Sequence, residues 1–232
     1  MGVFNFLNKE TMMTQEVKRI IRLFMGLFLY ALGIVLTIHA NVGLSPWDVF
    51  HQGLAKNLHI TLGIANIVTA IFFVALAAAM KEHVGLGTLC NMLCIGLFID
   101  ILMSGNWIPV MRNFTSGVAM MISGLFVIAL ASVFYIGAGY GAGPRDSLMV
   151  ILSKKTGRTA GFCRGCVEAG VLFFGWLLGG RAGIGTVISA LGIGFAVQIV
   201  FGLLKFNVRE IRQESFFETF RRLKATRPPS AL

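Results

Sequence analysis

Two short phrases of this chain combine a cap residue, a proline and a carboxylate, and they are the first candidates for chemistry. Gly-Leu-Ser-Pro-Trp-Asp ends at Asp48, and Gly-Ala-Gly-Pro-Arg-Asp ends at Asp146. Pro46 and Pro144 suit the first position of a helix, and an Asp two residues later can accept a hydrogen bond from the N–H of the cap residue. We therefore expect Asp48 and Asp146 mainly to cap helices.

The alternative is that both phrases belong to a solute site. The N-terminus of a helix carries partial positive charge, and half-helices in transporters direct this end at the substrate. In that case Ser45, Asp48, Arg145 and Asp146 would contact the solute. Arg145 would suit a negatively charged group.

An Arg and a Glu stand four residues apart inside an apolar segment. Arg164 and Glu168 can pair on one face of a helix, which is the structural interpretation that we favour. Charged groups inside a membrane segment also point to function. In the alternative, Glu168 carries a proton and Arg164 binds an anionic group of a substrate.

A Gly-x-Gly-Thr-x-x-Asn pattern contains Thr88 and Asn91, and Gly-x-Gly-Thr-x-x-Ser contains Thr186 and Ser189. At a spacing of three residues, each polar pair shares a helix face. Close packing of helices through small residues explains the pattern as well as a site does. The repetition predicts a symmetric polar site near the middle of the membrane.

Four cysteines lie in apolar surroundings, where thiols usually pack without reacting. They are Cys90, Cys94, Cys163 and Cys166. The last two form a Cys-x-x-Cys, but we expect no bound metal and no cofactor. Serine-hydrolase, nucleotide-binding and zinc-protease motifs are missing from the sequence, so we do not expect an enzyme.

The composition is that of a membrane protein. Of 232 residues, 56% are hydrophobic and only 13% are charged. The apolar residues form uninterrupted blocks that approach the ~20 residues needed to cross a bilayer. The blocks cover roughly 20–40, 62–80, 84–103, 115–136, 160–178 and 183–204.

The net charge of +10 could by itself suggest nucleic-acid binding, but the basic residues are unevenly distributed between the loops. With the N-terminus inside, sixteen Lys and Arg fall in cytosolic segments and three in outer segments, namely Lys56, Arg112 and Arg181. The positive-inside rule predicts this asymmetry. We therefore expect both termini in the cytosol and no nucleic-acid partner.

The chain matches itself at an offset of 98 residues. Residues 26–32 and 124–130 are identical at five of seven positions, and residues 85–96 and 183–194 at six of twelve. Each half contains three predicted spans, so the second half must enter the membrane from the opposite side. This predicts two inverted repeats, an organisation of many secondary transporters.

The sequence thus predicts an all-α membrane protein with six transmembrane helices. Residues 1–19 form a cytosolic lead-in, 20–105 the first repeat, 115–204 the second repeat and 205–232 a tail. A short half-helix follows the first span of each repeat, over 46–57 and 144–155. These half-helices are either re-entrant, with a site at their N-termini, or lie on the membrane surface.

The tail places apolar residues among basic ones. We expect an amphipathic helix on the cytosolic surface that is attracted by anionic lipid, and docking of a protein partner is the alternative. The apolar residues are Val208, Ile211, Phe216, Phe217 and Phe220.

The phrases Ala-Asn-Val-Gly-Leu-Ser-Pro-Trp-Asp, Gly-Ile-Gly-Thr and Gly-Ala-Gly-Pro-Arg-Asp-Ser resemble those of a bacterial integral-membrane family called YczE-like, within the broader YczE/YyaS/YitT grouping. The resemblance covers about residues 20–204. It implies a multi-pass protein of the bacterial cytoplasmic membrane and assigns no activity or site residue.

Together these features predict a secondary transporter or facilitator of a small solute, with anionic solutes among the candidates. Its partners would be the lipid bilayer and the solute, and a homo-oligomer is open. The alternative is a non-transporting scaffold or accessory protein that recruits a cytosolic partner through its tail. Deleting 206–232 would separate the two, because only the scaffold requires the tail.

Overall fold

The computed structural model describes most of the chain. It covers 2–79, 85–141, 143, 152, 155–157, 160–206, 211, 214–216, 218, 219 and 221, with side chains of the first helix from Thr14 and of the helix at 160–177 from Gly165. The predicted second half-helix at 144–155 lies almost wholly outside the described residues, as do Arg145 and Asp146. All regular elements within the described ranges are helices.

Seven helices follow one another in this part of the chain. Their bounds are α1 (Gly2–His39), α2 (Pro46–Leu58), α3 (Leu62–Ala79), α4 (Leu86–Ser104), α5 (Phe114–Gly137), α6 (Ala160–Leu177) and α7 (Ile184–Leu203). Unbroken apolar sequence without proline explains the long helices, because each backbone polar group is satisfied within its own helix. The predicted lead-in is part of α1, so the first helix is longer than its apolar block.

Five of the described helices are long and apolar enough to cross a membrane. They are α3, α4, α5, α7 and the Thr14–His39 part of α1. In α6, the apolar part with described side chains runs from Gly165 to Leu177 and is shorter. The prediction of an all-helical protein with several membrane spans is confirmed at this level.

The centre of the fold is the antiparallel pair α1 and α5. A Cβ on Gly26 would lie 2.6 Å from the Tyr135 backbone nitrogen, and a Cβ on Gly124 would lie 2.9 Å from the Gly33 carbonyl oxygen. The two helix backbones therefore touch where glycine provides the space. Small residues allow such contact between membrane helices, where lipid provides no hydrophobic drive to associate.

The remaining long helices flank this pair. On one side Leu27 and Val35 of α1 pack with Ile99 of α4, and on the other Met121 and Leu125 of α5 pack around α7. The helix α3 packs on α4, while α2 packs on α6 and α3.

The antiparallel order gives the bundle two distinct ends. We call the end that carries Arg19, the start of α4 and the close of α5 the terminal end. The far end carries the close of α1, the close of α2 and the start of α7.

Candidate solute site

The first turn of α2 has the predicted cap. Ser45 is the N-cap, Pro46 occupies the first helical position, and the Asp48 backbone N–H donates to Ser45 Oγ at 3.3 Å. The carboxylate of Asp48 accepts a hydrogen bond from the hydroxyl group of Ser45. The sequence analysis named the backbone N–H of the cap as the donor, and the structure shows the hydroxyl instead. The predicted cap at Ser45 is thus confirmed, and Asp48 contacts it through the Ser45 hydroxyl.

This first turn is surrounded by protein. Pro46, Trp47 and Asp48 are buried, and the Trp47 ring packs edge-on against Phe73 of α3 at 5.4 Å between centroids. Near the other end of α2, Asn57 Nδ2 donates to the Leu178 carbonyl oxygen at 2.7 Å. Both ends of α2 are therefore held by neighbouring helices.

A cavity of about 60 Å³ opens beside this turn and lies between both halves of the chain. Four residues predicted from the sequence as solute contacts line it: Ser45, Asp48, Glu168 and Ser189. Buried cavities with polar walls commonly hold water or a small ligand. The remaining lining comes from Tyr30, Ile34, Thr37, Pro46, Trp47, Leu125, Ile128, Ala190 and Ile193.

Three serine and threonine hydroxyl groups of this cavity already donate a hydrogen bond to protein acceptors. Thr37 Oγ1 donates to the Ile34 carbonyl oxygen at 2.8 Å, and Ser189 Oγ donates to the Thr186 carbonyl oxygen at 3.1 Å. The Ser45 hydroxyl donates a hydrogen bond to the Asp48 carboxylate. A hydroxyl has one proton but two lone pairs, so each of the three oxygens can still accept a hydrogen bond.

Thr88 and Thr186 cap helices at opposite ends of the bundle. Each accepts the backbone N–H of the preceding cap residue, Gly85 at 3.3 Å and Gly183 at 2.9 Å. Neither threonine lines the cavity. The first turns of α4 and α7 thus lie at opposite ends of the bundle, and the symmetric site at the two Gly-Thr patterns stays a prediction.

The residues beside these threonines join the two halves. Gly87 donates its backbone N–H to the Tyr140 carbonyl oxygen at 2.7 Å, and Gly185 donates to the Val42 carbonyl oxygen at 2.8 Å. Gly185 lies 98 residues after Gly87, and Val42 lies 98 residues before Tyr140. The loops that close α1 and α5 thus each dock on the start of a helix from the other half.

Other predicted site residues are not brought to the cavity. Asn91 is partly buried in α4 and is absent from the lining, whereas Ser189 at the matching position of α7 is present. Arg164 belongs to α6, but its side chain lies outside the described part of the structure. Cys90 and Cys94 pack against the core formed by α1 and α4.

Tyr30 and Thr37 line the cavity but were not predicted from the sequence. They stand seven residues apart with Ile34 between them, which places all three on one face of α1. A tyrosine and a threonine inside an apolar span provided a signal. The 98-residue repeat did not mark Tyr30 and Thr37 as a repeated polar pattern, because the matching residues of α5 are Ile128 and Tyr135.

The chain matches the model of a family of unknown function (DUF6198) over residues 17–201. It is 34% identical over 211 residues to "Uncharacterized membrane protein YczE" of Bacillus subtilis, covering 89% of this chain and 94% of the relative. It is a member of the YczE-like family. The predicted resemblance is therefore confirmed, and the protein is a helical membrane protein.

Two further relatives of this YczE-like chain are also without an assigned function. An uncharacterized protein of Haemophilus influenzae is 30% identical over 191 residues, covering 82% of this chain and 87% of the relative. "Uncharacterized protein YyaS" of Bacillus subtilis is 27% identical over 188 residues, covering 78% and 90%. No solved structure matches the chain.

Proposed function

We propose that this YczE-like protein is a secondary transporter or facilitator of a small solute in the bacterial cytoplasmic membrane. The observation that carries the proposal is the cavity between the two halves, which collects Ser45, Asp48, Glu168 and Ser189. Polar groups inside a membrane protein are costly and are usually retained for a solute or ion pathway. The function consists of binding and translocation, without a bond made or broken.

The proposed architecture is six spans in two inverted repeats. The matched hydrogen bonds of Gly87 and Gly185 support it, as do the matched contacts of Gly26 and Gly124. In this arrangement the two loops that follow the first span of each half face opposite sides of the membrane. Rocking of one half against the other would then expose the cavity to each side in turn.

The proposed orientation puts the terminal end in the cytosol. Arg19 and Arg22 lie at this end, where their guanidinium groups donate to the carbonyl oxygens of Ala138 and Val133. Most other basic residues fall in loops and the tail that the same orientation assigns to the cytosol. The far end, with the close of α2, then faces outward.

The polarity of the cavity favours a solute that donates hydrogen bonds or carries positive charge. Its described lining contains two carboxylates and three hydroxyl groups that already donate a hydrogen bond elsewhere, so their oxygens can only accept one from a solute. Trp47 and Tyr30 add aromatic rings, which attract cations. An anionic solute would instead require Arg145 or Arg164, which lie outside the described side chains.

Ligand-induced stabilisation of the purified protein tests the proposal. A ligand that binds only the folded state stabilises it by about 2.7 kcal/mol at a hundred times its Kd, so the melting temperature rises. The screen should contain one set of amines and inorganic cations and one set of carboxylates and phosphates. We expect a stabilising compound from the first set and transport of that compound in proteoliposomes.

Matched variants locate the site. Loss of a single hydrogen bond should weaken binding roughly 5- to 10-fold in Ser189→Ala and more strongly in Glu168→Gln. Ser123→Ala is the control, because Ser123 is exposed on α5 and donates only to Ala119 of its own helix. Equal binding in all three variants would exclude this cavity. A stabilising anion whose effect disappears in Arg164→Gln would contradict the proposed charge of the solute.

A further inference from the structure

A segment of the tail folds back onto the terminal end of the bundle. The Glu214 backbone N–H donates to the Gly139 carbonyl oxygen at 2.9 Å, and the Glu214 carboxylate accepts from Arg19 at 3.1 Å. The hydroxyl of Thr219 donates to the same carboxylate at 3.1 Å, and Thr219 is only 1% exposed. Glu214 and Thr219 therefore contact the bundle, whereas Phe216 and Glu218 of the same segment remain exposed.

Glu214 joins three elements that belong to both halves of the chain. Arg19 lies on α1, and Gly139 lies in the loop that follows α5. A Cβ on Gly85, at the start of α4, would lie 2.7 Å from the Glu214 carbonyl oxygen. The segment thus covers the place where the α5 loop docks on the start of α4.

Arg19 also has contacts that hold its side chain in position independently of Glu214. Its Nε donates to the Ala138 carbonyl oxygen at 3.0 Å, and its guanidinium lies 4.7 Å from the centre of the Tyr140 ring. The Tyr140 hydroxyl donates to Glu16 at 2.9 Å. Such preorganisation reduces the conformational entropy that a side chain loses when it forms an ion pair.

The far end is covered in a comparable way by the segment that follows α4. The Met111 backbone N–H donates to the His39 carbonyl oxygen at 2.8 Å, and Asn41 Nδ2 donates to the Met111 carbonyl oxygen at 3.2 Å. Asn41 and Gly139 are 98 residues apart. In each half, the segment after the last helix therefore contacts the loop after the first long helix.

We propose that Glu214 and Arg19 form a gate that closes the terminal end of the solute pathway. The inference rests on the proposed function, because a gate requires a pathway. The cavity lies beside the start of α2 and inside the bundle, between Tyr30–Thr37 of α1 and Leu125–Ile128 of α5. Movement that opens a path to the terminal end must separate the α5 loop from the start of α4, and this breaks the contacts of Glu214.

The gate can be tested without a known solute. In a variant without native cysteines, Thr88→Cys places a thiol on α4 beneath the gate, where Thr88 is 2% exposed. The measured quantity is its rate of labelling by a membrane-impermeant maleimide in nanodiscs. We expect slow labelling with the native tail. Labelling should be roughly 5- to 10-fold faster in Glu214→Gln and in Arg19→Gln, because each variant loses a partly shielded charged hydrogen bond.

Two controls make the result specific. Thr186→Cys carries the equivalent thiol at the far end, where the tail makes no described contact, and its labelling should not respond to Glu214→Gln. Glu218→Gln changes an exposed carboxylate whose described contact is the cap of its own turn at Ser215. It should leave Thr88→Cys unchanged. The combined Arg19→Gln and Glu214→Gln variant should label more slowly than the product of the two single effects predicts, since the two residues share an interaction.

The outcomes separate the gate from the transporter. Unchanged labelling of Thr88→Cys in both single variants would overturn the gate and leave the cavity proposal intact. Equal acceleration at Thr88→Cys and Thr186→Cys would also overturn it, because that indicates general loosening. Faster labelling at Thr88→Cys alone would support the gate even if no solute is bound in the thermal screen.

Discussion

At the scale of single residues, the cap of α2 and the bond between Glu214 and Arg19 differ in how far apart along the chain their partners lie. Ser45, Pro46 and Asp48 occupy their predicted helix positions because a cap depends on residues within one turn. The contact of Glu214 with Arg19 spans 195 residues. No local pattern in the tail indicates that contact, and the sequence therefore predicted a tail facing lipid or a partner.

The cap of α2 should have a measurable effect on stability. Ser45→Ala removes both the acceptor for the Asp48 N–H and the donor to its carboxylate, and we expect a loss of about 1 kcal/mol. Thermal unfolding in detergent measures it. The control is Ser116→Ala, an exposed residue that donates to Asn113 at the start of α5, and its effect should stay below about 0.5 kcal/mol. Equal effects would show that the cap is not important.

At the scale of helices, uninterrupted apolar blocks and proline predicted the elements well. The short helix was predicted over 46–57 and is found at Pro46–Leu58. The sequence also indicated the glycine positions of α1 and α5 through the repeat of 26–32 at 124–130. That these two helices form the central pair was not predictable, because small residues favour contact without naming the partner helix.

Close contact between α1 and α5 should make Gly26 intolerant of a side chain. Gly26→Ala would place a methyl group against the Tyr135 backbone, and we expect a loss of about 1–3 kcal/mol from overpacking. Gly194→Ala is the control, since no atom lies within 4 Å of a Cβ at that position of α7. If both variants melt at the same temperature, the α1–α5 contact is looser than described.

At the scale of the whole molecule, the distribution of charge and the two bundle ends lead to a prediction of sidedness. Asn106 is exposed in the turn after α4, and Glu218 is exposed in the tail. In the proposed orientation these residues lie on opposite sides of the membrane. The contacts that define the two ends join one half of the chain to the other. The sequence repeat predicted matching contacts at the two ends, but it did not predict which atoms form them.

Single cysteines at these positions test the orientation in intact bacteria. In a cysteine-free background, Asn106→Cys should react with an impermeant maleimide from outside, whereas Glu218→Cys should react only after the membrane is permeabilised. The expected difference in labelling is at least about tenfold, because the bilayer excludes charged reagents. The reverse pattern would place the terminal end outside and would require another explanation of the basic residues.

The hydrogen bonds from Gly87 to Tyr140 and from Gly185 to Val42 have a consequence for the origin of the fold. Each crosses from one half of the chain to the other, so a separate half would leave a helix start and a loop carbonyl unmatched. Under the proposed repeat, a precursor of half this length satisfies both groups by pairing with a second copy inserted upside down. Under the same proposal, gene duplication would have fixed one orientation for each copy, and the basic residues of the present chain would preserve that choice.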